Sequence, residues 1–531
     1  MTYTSELIKN GEKEKIWSKY CGYLDLSMEE FMHIQERLLV EQFETLKDCN
    51  LGKHFFGNRP PKNVEDFRKN VPLTTYSDYV EFLMDQKEDD LPEANYRWAR
   101  TSGKSGEYPC KWVPYTDRMY EKLGEVVLTT MILASCSEKG DVQVETDDVF
   151  LLATAPRPYI SSYVSLATDD LLDAKFIPSL AEGAKMEFGA RLAAGFSIGM
   201  ETGIDYFFGI ASILAKMGER FESGMTGGKF SLKMLKPKIL GRYFKAFMKA
   251  KIQKRGILPR DLWNLKGIMA GGTDTEIYKD KVKHYWGKLP LEGVGGTEIG
   301  TMCAQAWNYK GMTFLPDINF YEFIPLSEHL KAKEDPSYIP KTLLMNELTL
   351  GVYEVVITNL HGGVLLRNRV GDLFEVIAME DVEIGCRLPQ FKFFSRSSDY
   401  LGLRGMVRFT EKTIWHALEG SGIKYVDWTA RKETVDGKSI LHLYLELDET
   451  EKSSPTVLKK MIKKSLNKVD SDFGDMEKMM DDDYLSITKL PSGAFNNYIQ
   501  SQREAGADLA HIKPPHMQPK DKQLEKLMKI G

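Results

Sequence analysis

Residues 100–116 read RTSGKSGEYPCKWVPYT, and the Gly103-Lys104-Ser105 inside them is the ending of a kinase-type phosphate loop. A loop of that type needs a further glycine five positions before its Gly-Lys-Ser glycine, because that residue permits the turn that wraps the phosphates. Trp98 stands there. The kinase reading therefore fails on a named residue. What remains is a turn of hydroxyls and closely spaced N–H groups: Thr101, Ser102, Gly103, Ser105 and Gly106, with Lys111 a few residues on. Glycine lets such a backbone approach a ligand, so the turn can hold a polyphosphate without the kinase geometry. The same text also serves ordinary turns, and Lys111 reads equally as a surface lysine.

The surroundings narrow the choice. A chain of 531 residues with 42% hydrophobic residues can bury a large core and is expected to divide into more than one domain. The formal net charge of −5 gives no general attraction to nucleic acid or to an anionic membrane, so any anion site must be local. Six cysteines with no CxxC pair suggest neither a disulfide framework nor a zinc knuckle. The polar N-terminus MTYTSELIKNGEKEK lacks a signal-peptide core, and the longest apolar stretch, GFSIGMETGIDYFFGIASILAKM, carries Glu201 and Asp205. That stretch is read as a buried helix. The expected setting is a reducing cytoplasm, with no transmembrane segment and no nucleic acid partner.

Residues 1 to about 95 carry helical spacing, as in MEEFMHIQERLLVEQFETL, and are expected to be scaffold. From about 148, short β-rich runs (DVFLLATA, LKGIMAGG, INFYEFIP, YEVVITNL, DLFEVIAM) alternate with helical stretches, the pattern of an α/β domain. After FKFFSRSSDYLGLRG the texture changes to a compact α+β unit with its own helices and strands, ending in a proline-broken basic tail with one short helix. The boundary is placed at 395/396.

Three further stretches supply what an ATP-using acid activator needs. In IMAGGTDTE and PLEGVGGTEIGTM, Gly271 and Gly272 offer flat backbone for an adenine, Thr297 a hydroxyl for a phosphate, and Glu298 a carboxylate for Mg²⁺. In GGVLLRNRVGDLFEV, Asp372 follows Gly371 at the end of an expected strand and is a good acceptor for two ribose hydroxyls. In RSSDYLGLRG, Arg396, Asp399 and Gly402 lie where the two domains meet, a natural hinge.

In this order and at these separations the four stretches resemble the adenylate-forming superfamily of acyl-CoA synthetases, peptide-synthetase adenylation domains and luciferases. More closely, they resemble the Gretchen Hagen family of auxin-responsive acyl acid amido synthetases. GGVLLRNRVGDLFEV is similar to that family's LYRYRVGDVVEV, with Leu366 and Asn368 where tyrosines are usual. INFYEFIP is similar to MAYFEFLP, and TSGKSGEYPCKWVPYT to SSGTSGGERKLIP; the likeness runs from FRKNVPLTTYSDYVEFL to HIKPPH. It implies a large N-terminal adenylate-forming domain, 1–395, with β-sheets flanked by helices, and a small mobile α+β C-terminal lid, 396–531.

The resemblance further implies two half-reactions: ATP converts a small carboxylic acid to an acyl-adenylate, and an amine, expected to be an amino acid, or a thiol takes the acyl group. Thr101 to Gly106 would hold the β- and γ-phosphates with help from Lys111, Glu298 the Mg²⁺, Thr297 the α-phosphate and Asp372 the ribose, with Arg396 near the hinge. Two departures stand out. Where most of the superfamily has the lysine of PxxPSGK, this chain reads LPSGAF with Ala494, as the amido synthetases also lack it; Lys489 or Lys513 is a candidate substitute. Ser398 replaces the usual hinge aspartate. An acyl-CoA ligase and a non-catalytic binding relative remain the rival readings.

The acid is not readable. Tyr159, Tyr206, Phe207 and Phe208 are candidate walls of an apolar slot, or plain core. Residues 233–260 hold ten basic and no acidic side chains, with Leu240, Phe244 and Phe247 at helical spacing. The preferred reading is a solvated face over a buried stripe; the others are a dock for coenzyme A phosphates, an acidic carrier protein or a membrane. His511 and His516 read as surface rather than metal sites, and the chain contains no Gly-x-Ser-x-Gly elbow.

Overall fold

The computed structural model describes the chain apart from residues 1, 58, 102–109, 224–235, 272–274, 398–400, 404–406, 436–437, 471–472, 475–476, 478–482, 505–511, 513 and 530–531. It separates into two compact units, Met1–Val370 with Phe374–Phe393, and Gly371–Leu373 with Phe394–Gly531.

The first unit begins with helices, as the spacing predicts. In the longest, Met28–Leu46, Ser27 and Glu30 form a reciprocal cap in which each side chain accepts from the other's backbone N–H. Its apolar stripe of Phe31, Leu38, Leu39, Phe43 and Leu46 is buried. Each such side chain contributes about 1.5–3 kcal/mol on leaving water. On the same helix the buried Gln35 amide donates to the Asn319 carbonyl at 2.8 Å and accepts from the Tyr321 N–H at 3.0 Å, which fixes the helix against a strand of the central sheet.

The strands, in chain order, are β1 (Arg97–Arg100), β2 (Trp112–Tyr115), β3 (Val149–Leu151), β4 (Lys175–Ile177), β5 (Tyr206–Gly209), β6 (Gly267–Gly271), β7 (Leu291–Gly296), β8 (Gly300–Gln305), β9 (Met312–Phe314), β10 (Asn319–Pro325), β11 (Gly351–Asn359), β12 (Asn368–Ala378) and β13 (Gln390–Arg396). β1 and β2 pair antiparallel on their own. The other eleven form one sheet in the order β10-β11-β12-β13-β9-β8-β7-β6-β5-β3-β4. Strands β4, β3, β5, β6 and β7 run parallel, joined by helical crossovers such as Ile160–Leu172 and Thr275–Trp286. Their carboxyl ends therefore share one edge. At β7 the direction reverses through a tight hairpin into β8.

The second unit has its own core around a three-stranded sheet of β16 (Tyr425–Val435), β17 (Lys438–Leu447) and β18 (Leu485–Lys489), preceded by the short pair β14 (Leu401–Leu403) and β15 (Val407–Phe409). Trp428, Leu441, Leu443, Leu458, Ile462 and Leu466 fill that core. The helices expected here are present at Glu411–Ser421 and Pro455–Val469, with the short terminal one at Asp521–Met528.

Two expectations are corrected. The longest apolar stretch is not one helix: it breaks at Gly203 (φ 103°) into helix Phe188–Thr202, strand β5 and helix Ala211–Glu222. In helix Pro237–Ile252 it is Ile239, Ala246 and Ala250 that are buried, while Leu240, Phe244 and Phe247 face outward. Among the described residues no helix is long and apolar enough to cross a membrane, and all six cysteines are free.

Candidate active site

Open α/β sheets bind ligands outside the carboxyl ends of their parallel strands, where the strand order turns. That edge here carries Gly271 at the end of β6 and Thr297-Glu298 in the turn after β7. A Cβ built on Gly271 would meet nothing within 4 Å, so open space borders the strand end there. The hairpin is tight because Gly300 takes a positive φ of 61°. Thr297 is buried and Glu298 one-fifth exposed.

Three side chains that the sequence did not single out hold this hairpin by its carbonyls. The buried Tyr115 hydroxyl donates to the Thr297 carbonyl at 2.8 Å. The Asn359 amide donates to the Glu298 carbonyl at 3.0 Å and to the Asn319 side-chain oxygen at 2.9 Å, and Asn319 in turn donates to the Ile299 carbonyl at 2.7 Å. Three consecutive carbonyls are thus fixed by β2, β10 and β11. Burial and the nearby Glu298 charge push the Tyr115 hydroxyl above its ordinary value, so it stays a donor at any working pH.

Thr101 and Lys111, which flank the opening stretch, are bonded to each other, and Lys111 reaches this hairpin. The Thr101 N–H donates to the Lys111 carbonyl at 2.9 Å, and the Lys111 N–H returns a bond to the Thr101 hydroxyl at 3.0 Å. The two residues are clasped to each other across the intervening stretch, whose Ser102, Gly103, Ser105 and Gly106 lie outside the described residues. Lys111 Nζ then sits 3.3 Å from Glu298 Oε1 and over the Tyr76 ring. Residues 187 positions apart in sequence are brought together at the carboxyl edge.

Behind β1, the Arg100 guanidinium lies against Tyr159, 3.2 Å from its hydroxyl and 4.8 Å above its ring. Tyr159 is buried, and nothing in the residue pattern announced its arginine partner. Tyr206 and Phe207 are core residues: both are fully buried on β5, and the Tyr206 ring stacks on Phe150 at 5.5 Å. Phe208 alone of that run is partly open. A cavity of about 760 Å³ lined by Val40, Arg68, Leu73, Ile339 and Leu344 contains none of the sequence-predicted site residues.

In the second unit, Asp372 is buried and Arg396 Nε lies 3.4 Å from its carboxylate. The aspartate is not at a strand end as expected. β12 runs on through it and through Gly371, whose φ of 79° favours glycine and where a Cβ would approach Ser397 Oγ to 2.9 Å. Ala494 is buried in a small core with Leu490, Phe495, Tyr498 and Leu524. The buried Glu446 carboxylate accepts from the Gly493 and Phe495 N–H groups beside it, at 2.7 and 2.9 Å. A lysine at 494 would point into that core. Lys489 donates to the Ser453 carbonyl on the surface and Gly402 lies in β14, while Gly272, Ser398, Asp399 and Lys513 lie outside the described residues.

The sheet with the Thr-Glu hairpin at its carboxyl edge, followed by an α+β unit, is a fold met in solved structures. Two solved structures share the fold: an acyl acid amido synthetase in complex with 2,4-DB (TM-score 0.67, 15% identity, 97% of this chain and 95% of that one) and a 2-hydroxyisobutyryl-CoA ligase in its postadenylation state (TM-score 0.59, 15%, 88% and 87%). The chain matches the GH3 family N-terminal domain over residues 22–151 and the GH3 family central domain over residues 312–396. Among curated proteins it is 27% identical to a jasmonoyl–L-amino acid synthetase of Nicotiana attenuata over 49% of this chain and 45% of that one. It is 28% identical to a 4-substituted benzoates–glutamate ligase of Arabidopsis thaliana over 33% of this chain and 30% of that one. The matches span less than half the length of these relatives.

Proposed function

We propose that the chain activates a carboxylic acid with ATP and passes the acyl group to an amine, an amino acid by the likeness to the synthetases above. The observation that carries the reading is the junction of the Thr101–Lys111 clasp with Glu298 at 3.3 Å, on the edge where such sheets bind ligands. A carboxylate is a poor electrophile because its oxygen does not leave. Attack of that oxygen on the α-phosphate of ATP forms the acyl–phosphate bond and releases pyrophosphate, which turns the oxygen into part of a good leaving group. The amine nitrogen then attacks the acyl carbon; the amide bond forms, AMP departs and the nitrogen loses a proton.

In this scheme the turn from Thr101 to Gly106 and the Lys111 ammonium hold the β- and γ-phosphates, and the Thr297 hydroxyl faces the α-phosphate. Gly271 and Gly272 give the adenine a surface, and the Asp372 carboxylate accepts from the ribose. Mg²⁺ would be held by Glu298. Among the described residues no three His, Cys, Asp or Glu side chains gather as a metal site. A magnesium ligated mainly by phosphate and water needs only one or two carboxylates, so a lone glutamate fits. When bound, the ion would neutralise phosphate charge. Tyr115, Asn319 and Asn359 position the hairpin without touching substrate, keeping Thr297 and Glu298 still while charge moves. The second unit is proposed as a lid that turns about residues near Arg396 to admit the acceptor.

Purified protein incubated with ATP, Mg²⁺ and a library of carboxylic acids, with either coenzyme A or a mixture of amino acids, separates the outcomes by mass spectrometry of products. Amide products support the reading. Thioesters alone would move the chain to the acyl-CoA ligases.

A further inference from the structure

Helix Pro237–Ile252 is not used by the reaction above, and its surface is unusual. Leu240, Tyr243, Phe244, Phe247, Met248 and Ile252 are all more than 40% exposed, Phe244 and Ile252 at 65% and 76%. At 3.6 residues per turn these six fall on one broad sector, next to the narrow seam of Ile239, Ala246 and Ala250 that packs on the protein. Lys238, Arg242, Lys245 and Lys249 fall on the remaining sector. The helix thus shows solvent an apolar strip, interrupted by Lys251 near its C-terminal end, bordered by a cationic one.

The charges are only partly answered. Lys249 and Arg255 pair with Asp261 at 3.2 and 2.5 Å, Lys236 pairs with Glu201 at 2.5 Å, and Arg242 donates to the Gly199 carbonyl. Among the described residues Lys238, Lys245, Lys251 and Lys254 have no carboxylate at ion-pair distance. In a chain of net charge −5, a run of ten basic and no acidic residues at 233–260 is a local feature. Contiguous exposed apolar surface of this kind marks a contact.

We propose that this helix lies on an anionic lipid surface, its aromatic and aliphatic strip entering the headgroup–acyl boundary and its lysines meeting lipid phosphates. Both sectors are then used: the strip leaves water, and the long lysine stems reach back to the charged layer. A second copy fits worse, because pairing this face with itself sets lysines against lysines. Coenzyme A phosphates would answer the cations and leave six apolar side chains in water.

The test uses the full chain and sedimentation with vesicles of phosphatidylcholine alone or mixed with phosphatidylglycerol. Binding is expected to the mixed vesicles, about tenfold or more above the neutral ones, and to weaken in high salt. Phe244→Glu with Phe247→Glu, and separately Lys238→Glu with Lys245→Glu, should each abolish it while thermal midpoint stays unchanged, since all four side chains are exposed. Equal binding to both vesicle types, no binding to either, or binding indifferent to both double variants would overturn the proposal. So would a dimer in solution that the phenylalanine variant dissolves.

Discussion

At the scale of single residues, the site is held less by the groups expected to do chemistry than by those fixing their backbone. Thr297 and Glu298 stand out in sequence because a hydroxyl and a carboxylate sit among glycines. Tyr115, Asn319 and Asn359 do not, since their partners are main-chain carbonyls and no spacing reveals a bond between residues 182 positions apart. Loss of one such bond costs about 1 kcal/mol, so Tyr115→Phe should lower turnover about fivefold. Asn359→Leu removes a bridge between two strands and the hairpin, and should lower it about tenfold or more while leaving KM for ATP nearly unchanged, as expected of a positioning residue. Steady-state kinetics of the two variants checks both. An effect confined to KM would show that the bridge acts on binding instead.

At the scale of elements, periodicity announced helix Pro237–Ile252 correctly and misjudged its buried side. A helical repeat locates an apolar stripe but does not say what covers it, and here small residues, not the phenylalanines, meet the protein. The tail shows the same limit. His516 reads as a surface histidine in a proline-rich segment, yet it stacks on Trp428 at 4.8 Å and bonds to Glu411 and Asp427 at 2.6 and 2.8 Å. Burial works against its charge, but Asp427 and Glu411 outweigh it and raise the imidazole from 6.5 to about 10. A raised folded-state pKa means this stabilisation is complete below pH 6.5 and is lost as the pH climbs through 10. Thermal unfolding of the full chain should therefore show the second unit's transition falling between pH 7 and 10, and His516→Gln should flatten that fall and cost about 1–2 kcal/mol at neutral pH. In the same unit, Ala494→Lys places an ammonium in the small core beside Glu446. It should destabilise the unit rather than improve activity; a gain in adenylation would mean that the position reaches the reacting centre.

At the scale of the molecule, the alternation of β-rich and helical runs was enough to foresee a large α/β unit followed by a smaller α+β one, because parallel strands buried on both faces leave nearly unbroken apolar text. The sheet's strand order was not legible: β13 inserts beside β9, and that pairing joins Phe391 to Met312, 79 positions apart. Nor was it legible that β12 and β13 would each contribute residues to both units. What the order achieves is functional. It puts the end of β6 and the β7–β8 turn on one edge, where Lys111 reaches Glu298, and the proposal of ATP chemistry rests on that. Pyrophosphate exchange reads that chemistry before any acceptor is known. With the right acid, drawn from a broad library, the wild-type protein should exchange radiolabelled pyrophosphate into ATP, and Glu298→Ala and Asp372→Ala should each reduce the rate by about a hundredfold or more. Exchange that survives both substitutions, or no exchange with any acid, would contradict the account.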